Sequence, residues 1–264
     1  MLAEDNLTNQ KVAQLQINKL GYALHTVANG QEALKAMAGE NGPLYAAILM
    51  DCQMPIMDGF EATAAIRATE QAGAGIRIPI IAMTANAMQG DRERCITAGM
   101  DDYVSKPIAP DQLSKVLAQW AGTPVHTAAP TLAPTLAPTL ASTPEAPAVV
   151  PDLLVIDFAR LEDYFGDDPE LIASLLELFQ TTTVVLLEKL QLAIEQQDVN
   201  AVMALSHEAK GSSGNLGIER MAHIAALLED AATNADWVQA KALCVDLHAA
   251  FDMLVSVLGE ARAA

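Results

Sequence analysis

Short apolar runs alternate with longer amphipathic stretches over the first 120 residues. The apolar runs predict four strands, at Tyr22–Val27, Tyr45–Met50, Ile78–Met83 and Asp102–Ser105. The amphipathic stretches predict five helices, near residues 8–19, 30–38, 59–71, 87–97 and 110–120. Because strands that alternate with helices usually form a parallel sheet covered on both faces, this half of the chain is predicted to be an α/β domain.

The pattern after residue 152 is helical throughout, without a strand signal. Helices are predicted at about residues 169–196, 199–214, 218–232 and 236–259. Asp157 and Asp168 are suitable N-caps, and Pro169 suits a first helical position. Since short connections between long helices favour antiparallel packing, this half is predicted to be an all-α four-helix bundle.

Between the two halves, the tetrapeptide Ala-Pro-Thr-Leu occurs three times in succession, starting at residues 129, 133 and 137. Regularly spaced proline removes amide donors and disfavours helix. We therefore predict a first domain at 1–120, an extended linker at 121–152 and a second domain at 153–264. At about 3.1 Å per residue, about 30 linker residues would reach about 90 Å.

The formal charge is −18, with −4 on residues 1–120 and −12 on residues 157–264. Such a field repels nucleic acid and anionic membranes, so neither is expected as a direct partner. Three cysteines without a CxxC spacing argue against a disulfide framework or a zinc site. No apolar run approaches about 18 residues, and acids near the start are unlike a signal peptide. We expect a cytoplasmic chain, with anchoring of a parent protein in the inner membrane left open.

Polar residues follow the predicted strands where parallel strands end. Asp51 follows the second apolar run, Thr84 the third, and Lys106 the fourth, while Glu4 and Asp5 follow the first apolar residues of the chain. Ligands of open parallel sheets bind outside these carboxyl ends. The fold should therefore gather three acids, one hydroxyl and one lysine at one edge.

Neighbouring carboxylates repel each other unless they share a cation, and Mg²⁺ is the natural one for such oxygens. Lys106 and the Thr84 hydroxyl would then hold phosphoryl oxygens, with Asp51 as the nucleophile. Taken singly, each residue fits an ordinary solvated loop, but their joint placement favours a phosphoryl-transfer site. A haloacid-dehalogenase-type phosphatase would need a second aspartate where Gln53 stands.

These residues resemble the response-regulator receiver domain, which has a flavodoxin-like (βα)₅ fold. The run Asp51–Gly59 looks like its phosphoacceptor loop, and Glu4-Asp5-Asn6 looks like its acidic pair. Thr84-Ala85 and Lys106-Pro107 look like its switch hydroxyl and its lysine, usually followed by a cis proline. Tyr103 matches its switch aromatic.

The resemblance implies that Asp5, Asp51 and the backbone carbonyl of Gln53 ligate Mg²⁺, with Glu4 beside them. One departure is that only three residues precede Glu4, so the first strand is truncated. We expect the chain to be a fragment, or a gene model begun late, of a longer protein.

His207 lies on a predicted helix, opposite the centre of its apolar stripe. We expect its imidazole to face solvent from a surface of small residues. Gly211 and Gly214 cost about 1 kcal/mol each relative to alanine, which a docking role would offset by letting another active site approach. Lys210, one turn on, is placed to contact phosphoryl oxygens. A plain surface histidine is the alternative, and metal-binding spacings are absent around it.

The same residues resemble the histidine phosphotransfer (HPt) domain: a phosphoacceptor histidine, then Lys210, Gly211, small residues and the turn Asn215-Leu216-Gly217. Receiver followed by HPt is similar to the C-terminal part of hybrid sensor histidine kinases. The resemblance implies transfer from an upstream histidine kinase to Asp51, then to His207, then to a downstream response-regulator receiver domain.

Two other interpretations stay open, and with them the question of whether the chain is an enzyme. It is either a piece of a hybrid histidine kinase whose sensor and ATP-binding parts lie outside it, or a binding module whose receiver is too damaged to be phosphorylated. ATP turnover by this chain, and phosphate uptake from a small donor, distinguish these from the relay.

Overall fold

The computed structural model describes residues 1–38, 45–74, 77–84, 89–122 and 153–263. Beyond residue 122, the predicted linker lies outside the described residues. The described residues form two helix-rich parts, one before the predicted linker and one after it.

The first part is built on five parallel strands in the order β2-β1-β3-β4-β5. The strands are β1 (Leu2–Ala3), β2 (Thr26–Val27), β3 (Ile48–Asp51), β4 (Ile80–Thr84) and β5 (Asp102–Ser105). The helices are α1 (Leu7–Lys19), α2 (Gly30–Met37), α3 (Gly59–Thr69), α4 (Gln89–Thr97) and α5 (Pro110–Trp120), with a π-helical turn at Glu70–Ala74 after α3. The predicted α/β fold with a short first strand is confirmed.

Apolar side chains alternate between the two faces of this sheet, as a two-residue period requires. Ile48, Met50 and Ile80 belong to one buried cluster. Leu49 and Ile81 belong to a second cluster on the opposite face. Both faces are therefore buried beneath helices, and only the ends of the strands remain for polar chemistry.

Three strands begin later than the sequence pattern predicted: β2 at Thr26, β3 at Ile48 and β4 at Ile80. Thr26–Val27 pairs only with the two residues of β1, which limits its length. Asp51 and Thr84 are the last residues of β3 and β4, not the residues that follow them.

The second part contains the four predicted long helices and one short helix before them. They are α6 (Phe158–Phe165), α7 (Pro169–Gln196), α8 (Val199–Asn215), α9 (Glu219–Thr233) and α10 (Trp237–Ala263). Asp157 and Asp168 cap α6 and α7 as predicted, each by accepting a backbone N–H three residues on. The helical bundle is confirmed.

By length and composition alone, two helices among the described residues would suffice to cross a membrane: Pro169–Gln196 and the segment Trp237–Glu260 of α10. The expectation that no segment approaches such apolar length is therefore wrong for them. Both helices contribute to the bundle core, for example through Leu190 and Leu247. Core helices of a folded bundle pass the same test of length and composition.

Helix α1 joins the two parts because it buries residues on two sides. Ala13 and Ile17 pack in the sheet core. Val12 packs in the core of the helical bundle, with Leu15 half-buried beside it. The first part thus docks on the second through α1, which contacts α7 and α8.

Arg67 of α3 is a buried structural cation at the start of β4 and β5. It donates to Asp101 at 2.6 Å, to Glu70 at 2.7 Å and to the carbonyl oxygens of Gly99 and Ile78 at 2.8 and 2.9 Å. These bonds fix the backbone segments that lead into β4 and β5.

We predict that Arg67→Met destabilises the chain by about 3–5 kcal/mol, because it removes the buried cation that pairs with Glu70 and Asp101. Arg77→Met is the matched control, since Arg77 also pairs with Asp101 but its side chain is 59% exposed. Chemical denaturation should show a much smaller loss for that variant. Equal losses for the two would contradict a structural role for the buried arginine.

Candidate functional site

Lys106 forms the centre of the site at the carboxyl ends of the strands. Its Nζ donates to Oδ2 of Asp51 at 2.5 Å and to Oε2 of Glu4 at 2.7 Å. All three side chains are at most 3% exposed. Burial alone would lower the pKa of Lys106, but the charges of Asp51 and Glu4 outweigh it and raise the pKa above its usual range. The two carboxylates therefore favour the charged form of this lysine.

Asp5 adds a third carboxylate to this edge. Carboxylate oxygens of Glu4, Asp5 and Asp51 lie within 4.8 Å of one another. Burial, followed by the negative charges of Glu4 and Glu208, raises the pKa of Asp5 to about 6. Burial also raises the pKa of Glu4. One lysine cannot neutralise three carboxylates, so the arrangement suits a further hard cation.

The donor set fits Mg²⁺, since Mg²⁺ prefers carboxylate and carbonyl oxygens and retains waters. Glu4, Asp5 and Asp51 line a cavity of about 750 Å³, which has room for such waters. No sulfur or imidazole ligand that would favour a transition metal belongs to the cluster formed by the described residues.

The loop after β3 is closed by Gly59. A Cβ at this position would lie 2.1 Å from the carbonyl oxygen of Asp51, so only glycine permits the approach. The backbone N–H of Gln53 donates to Oδ1 of Asp51 at 3.2 Å. Asp58 and Glu61 form a reciprocal capping box that begins α3 directly after the loop. The carboxylate of Asp51 is thereby held by backbone as well as by Lys106.

Thr84 and Tyr103 are placed differently from each other. Thr84 is buried at the end of β4 and lines the same cavity as Asp51. Tyr103 is half-buried on β5, does not line that cavity, and has the Arg92 guanidinium 5.9 Å from its ring centroid. The Lys106–Pro107 peptide bond is cis.

His207 of α8 is held by Glu229 of α9. The imidazole Nδ1 lies 2.8 Å from Oε1 of Glu229, and Nζ of Lys210 donates to Oε2 at 2.6 Å. Burial opposes ionisation of Glu229, but the hydrogen bonds from His207 and Lys210 outweigh it and lower its pKa. Because a carboxylate only accepts, Nδ1 carries a proton, and whenever the ring is neutral its lone pair is on Nε2.

The expectation that His207 faces open solvent is wrong. Its side chain is only 16% exposed. Glu229 covers one side of it, and the docked sheet domain faces the other. A helical wheel of α8 alone shows neither neighbour, because one lies 22 residues away and the other belongs to the first domain.

Asp51 and His207 open into one cavity of about 750 Å³ between the two domains. Its lining includes most of the site residues predicted from sequence, together with Glu229. From the first domain these are Glu4, Asp5, Asp51, Gln53, Thr84 and Lys106; from the second they are His207, Lys210 and Gly211. A predicted nucleophile and a predicted acceptor thus line one cavity.

Gly211 and Gly214 lie where α8 meets the first domain. A Cβ added to Gly211 would be 3.4 Å from Nδ2 of Asn9, and one added to Gly214 would be 3.8 Å from the Pro107 ring. A methyl group fits at these distances, whereas a longer side chain would push the domains apart.

Glu229 was missed by sequence reasoning, although it contacts both His207 and Lys210. The three cysteines are buried and free, as expected of a chain without a disulfide framework. Burial raises the pKa of the Cys52 thiol beside Asp51, which disfavours its reactive thiolate.

Comparisons with known proteins divide the chain in the same way. Residues 1–118 match the model of the response regulator receiver domain, and residues 174–261 match that of the Hpt domain. "Sensor protein GacS" of Pseudomonas syringae pv. syringae is 30% identical over 221 residues, which are 84% of this chain and 23% of that protein. "Hybrid signal transduction histidine kinase I" of Dictyostelium discoideum is 46% identical over 119 residues, 44% of this chain and 7% of that protein.

Among solved structures, a sensor histidine kinase receiver domain from Pseudomonas aeruginosa PAO1, with a magnesium ion coordinated in its active-site cleft, is 47% identical. The match covers 46% of this chain and 94% of that one, with a TM-score of 0.40. The chain therefore spans less than a quarter of the curated relatives named above and nearly all of this single-domain structure.

We predict that Glu229→Gln lowers stability by about 1–2 kcal/mol at pH 7, because it replaces charge-assisted hydrogen bonds with neutral ones. The folded pKa of Glu229 is lowered, so its stabilisation is present above its usual value and is lost as pH falls through the folded pKa. Denaturation at pH 7 and near pH 3 should therefore show the difference from wild type shrinking in acid. Asp230→Asn, at an exposed neighbour, should show no such difference at either pH.

Proposed function

We propose that this chain, which joins a response regulator receiver domain to an Hpt domain, passes a phosphoryl group between Asp51 and His207. Both domain matches, and hybrid kinase relatives that extend over both domains, support a role in two-component phosphorelay signalling. The observation that carries the residue assignment is the single cavity lined by both side chains.

In the first transfer, a carboxylate oxygen of Asp51 attacks the phosphorus of a phosphohistidine on an upstream kinase. The P–N bond breaks, the P–O bond forms, and the imidazole leaves with the electron pair. Lys106 neutralises the attacking carboxylate in the ground state and is placed to follow phosphoryl oxygens as that charge moves outward. The Thr84 hydroxyl lines the same space and would donate to another oxygen.

In the second transfer, Nε2 of His207 attacks the phosphorus of the aspartyl phosphate. The P–O bond breaks and returns the carboxylate to Lys106. The proton on Nδ1 stays where it is, because Glu229 accepts it in a hydrogen bond and stabilises the positive ring that results. Lys210, already beside Glu229, supplies a cation near the arriving oxygens.

Mg²⁺ would be held by Asp5, Asp51 and the Gln53 carbonyl, with Glu4 beside them. When bound, it supplies positive charge to the phosphoryl oxygens and offsets the repulsion among the acids. Burial of Glu4 and Asp5, which costs free energy while they are charged, would then be balanced by the ion.

The partners that we propose are an upstream histidine kinase and a downstream response-regulator receiver domain. Both would act in the cytoplasm, and the linker would hold Asp51 and His207 at high effective concentration while letting either domain engage others. The strongly negative second domain disfavours nucleic acid as a direct partner.

A second candidate is that the chain is part of a hybrid histidine kinase. The observation that favours it is that relatives with this pair of domains are much longer. ATP turnover would then require parts beyond this chain. Hydrolysis of ATP by this polypeptide alone would contradict both proposals.

We predict that Asp51→Asn abolishes labelling of His207 when the chain is incubated with radiolabelled acetyl phosphate and Mg²⁺. His207→Gln should retain label on Asp51 and block onward transfer. Acid- and alkali-stability of the label identifies the labelled residue, since acyl phosphates and phosphohistidine differ in both. Asp111→Asn and His248→Gln are the matched controls. Label on His207 in the Asp51→Asn chain would show that the order is wrong.

We also predict that Mg²⁺ raises the unfolding temperature of the receiver domain, because an ion that binds only the folded state stabilises it. At 100 times the dissociation constant the gain is about 2.7 kcal/mol. Asp5→Asn should reduce the gain, whereas Asp111→Asn, at an exposed acid, should leave it intact. Thermal unfolding with and without Mg²⁺ measures both; an unchanged gain in Asp5→Asn would remove that residue from the metal site.

A further inference from the structure

Two asparagines meet at the centre of the contact between the domains. Asn9 lies in the first turn of α1, and Asn215 is the last residue of α8. They are 5% and 3% exposed, and Nδ2 of Asn215 donates to Oδ1 of Asn9 at 2.8 Å. Water cannot readily replace a hydrogen bond between groups buried to this degree.

Glu4 fixes which way the Asn9 amide points. Nδ2 of Asn9 donates to Oε1 of Glu4 at 2.9 Å. Because an ionised carboxylate only accepts hydrogen bonds, the nitrogen of Asn9 must face Glu4 and its oxygen must face the Hpt domain. The receiver domain therefore presents an oriented acceptor, which only a donor on the Hpt side can satisfy.

Asn215 meets this requirement with one end of its side chain and uses the other end elsewhere. Its Oδ1 accepts the backbone N–H of Ile108 at 3.2 Å, two residues after Lys106. The Ile108 N–H is backbone and does not depend on side-chain identity, whereas the acceptor of Asn9 belongs to its side chain. The contact with the Ile108 N–H therefore depends on the backbone conformation after Lys106. The contact with Asn9 depends on which side chain occupies that position.

Other polar contacts between the domains involve side chains that are less buried than the asparagine pair. Asn6 donates to Glu208 at 3.0 Å, and the hydroxyls of Thr8 and Thr182 are 3.4 Å apart. Glu208 and Thr182 are both partly exposed, so water can substitute for their partners. The asparagine pair is where a mismatch would leave buried groups unsatisfied.

We propose that Asn215 is a specificity-determining residue of the Hpt domain, selecting receivers that carry an asparagine at the position of Asn9. The proposal rests on the proposed relay for its effect on transfer, but it also makes a claim about docking that needs no phosphoryl group. A receiver with an apolar side chain at this position would leave the Asn215 amide buried without its partner.

The experiment uses the full chain with Asn215→Asp, which keeps the shape but replaces the donor with an acceptor. Transfer from Asp51 to His207 should slow roughly 5- to 150-fold in single turnover, the range expected for an unsatisfied buried group. Labelling of Asp51 by acetyl phosphate should stay unchanged. Asn234→Asp, the same change at an exposed residue of the same domain, is the matched control.

Asn9→Ala, Asn215→Ala and the double variant test the pairing itself. If the two side chains act on each other, the double variant should lose less than the product of the single losses. Losses that simply multiply would overturn the proposal. So would a transfer rate in Asn215→Asp equal to that of the Asn234→Asp control.

Hydrogen exchange of the Ile108 amide separates this proposal from the relay. In Asn215→Asp that amide should exchange faster if the docking contact is weakened, whether or not label moves. If wild type passes no label to His207 yet Ile108 exchange responds, the relay fails and the docking pair stands. An amide whose protection is the same in all variants would overturn the pair.

Discussion

Repulsion among carboxylates at the ends of a parallel sheet is the constraint on which this structure depends. Carboxylate oxygens of Glu4, Asp5 and Asp51 lie within 4.8 Å of one another, and among the described residues Lys106 is the cation that pairs with two of them. The lysine prevents the buried charges from opposing folding, but it leaves negative charge in excess. An excess of this kind favours a divalent cation, and in the proposed function that cation would also neutralise a phosphoryl group.

The second domain contributes His207, the proposed acceptor, to the cavity that Asp51 lines. His207 enters the cavity with its Nδ1 proton held by Glu229, so the ring is oriented before any phosphoryl group arrives. In the proposed transfer, preorganisation of this kind would lower the barrier because no side chain has to be rearranged. Helix α1 brings the two sites together, since Val12 packs in the bundle core while the opposite side of the helix packs on the sheet.

Features carried by local sequence were predictable. Strand-end placement predicted that Asp51, Thr84 and Lys106 lie together, and the glycines near His207 predicted a small-residue surface on α8. Contacts between distant segments were not. Glu229 belongs to no recognisable local motif of α9, and Asn9 and Asn215 are 206 residues apart in the sequence. Neither contact can therefore be predicted from a local pattern. The exposure of His207 was misjudged for the same reason, since a single helix cannot reveal what packs against it.

The central claim is that Asp51 and His207 of one molecule face each other, and the concentration dependence of transfer tests it most directly. Chains labelled on Asp51 are diluted over two decades, and the appearance of label on His207 is followed in a single turnover. A first-order rate constant that does not change with dilution is the predicted result. A rate that falls in proportion to concentration, or label that never leaves Asp51, would contradict the claim.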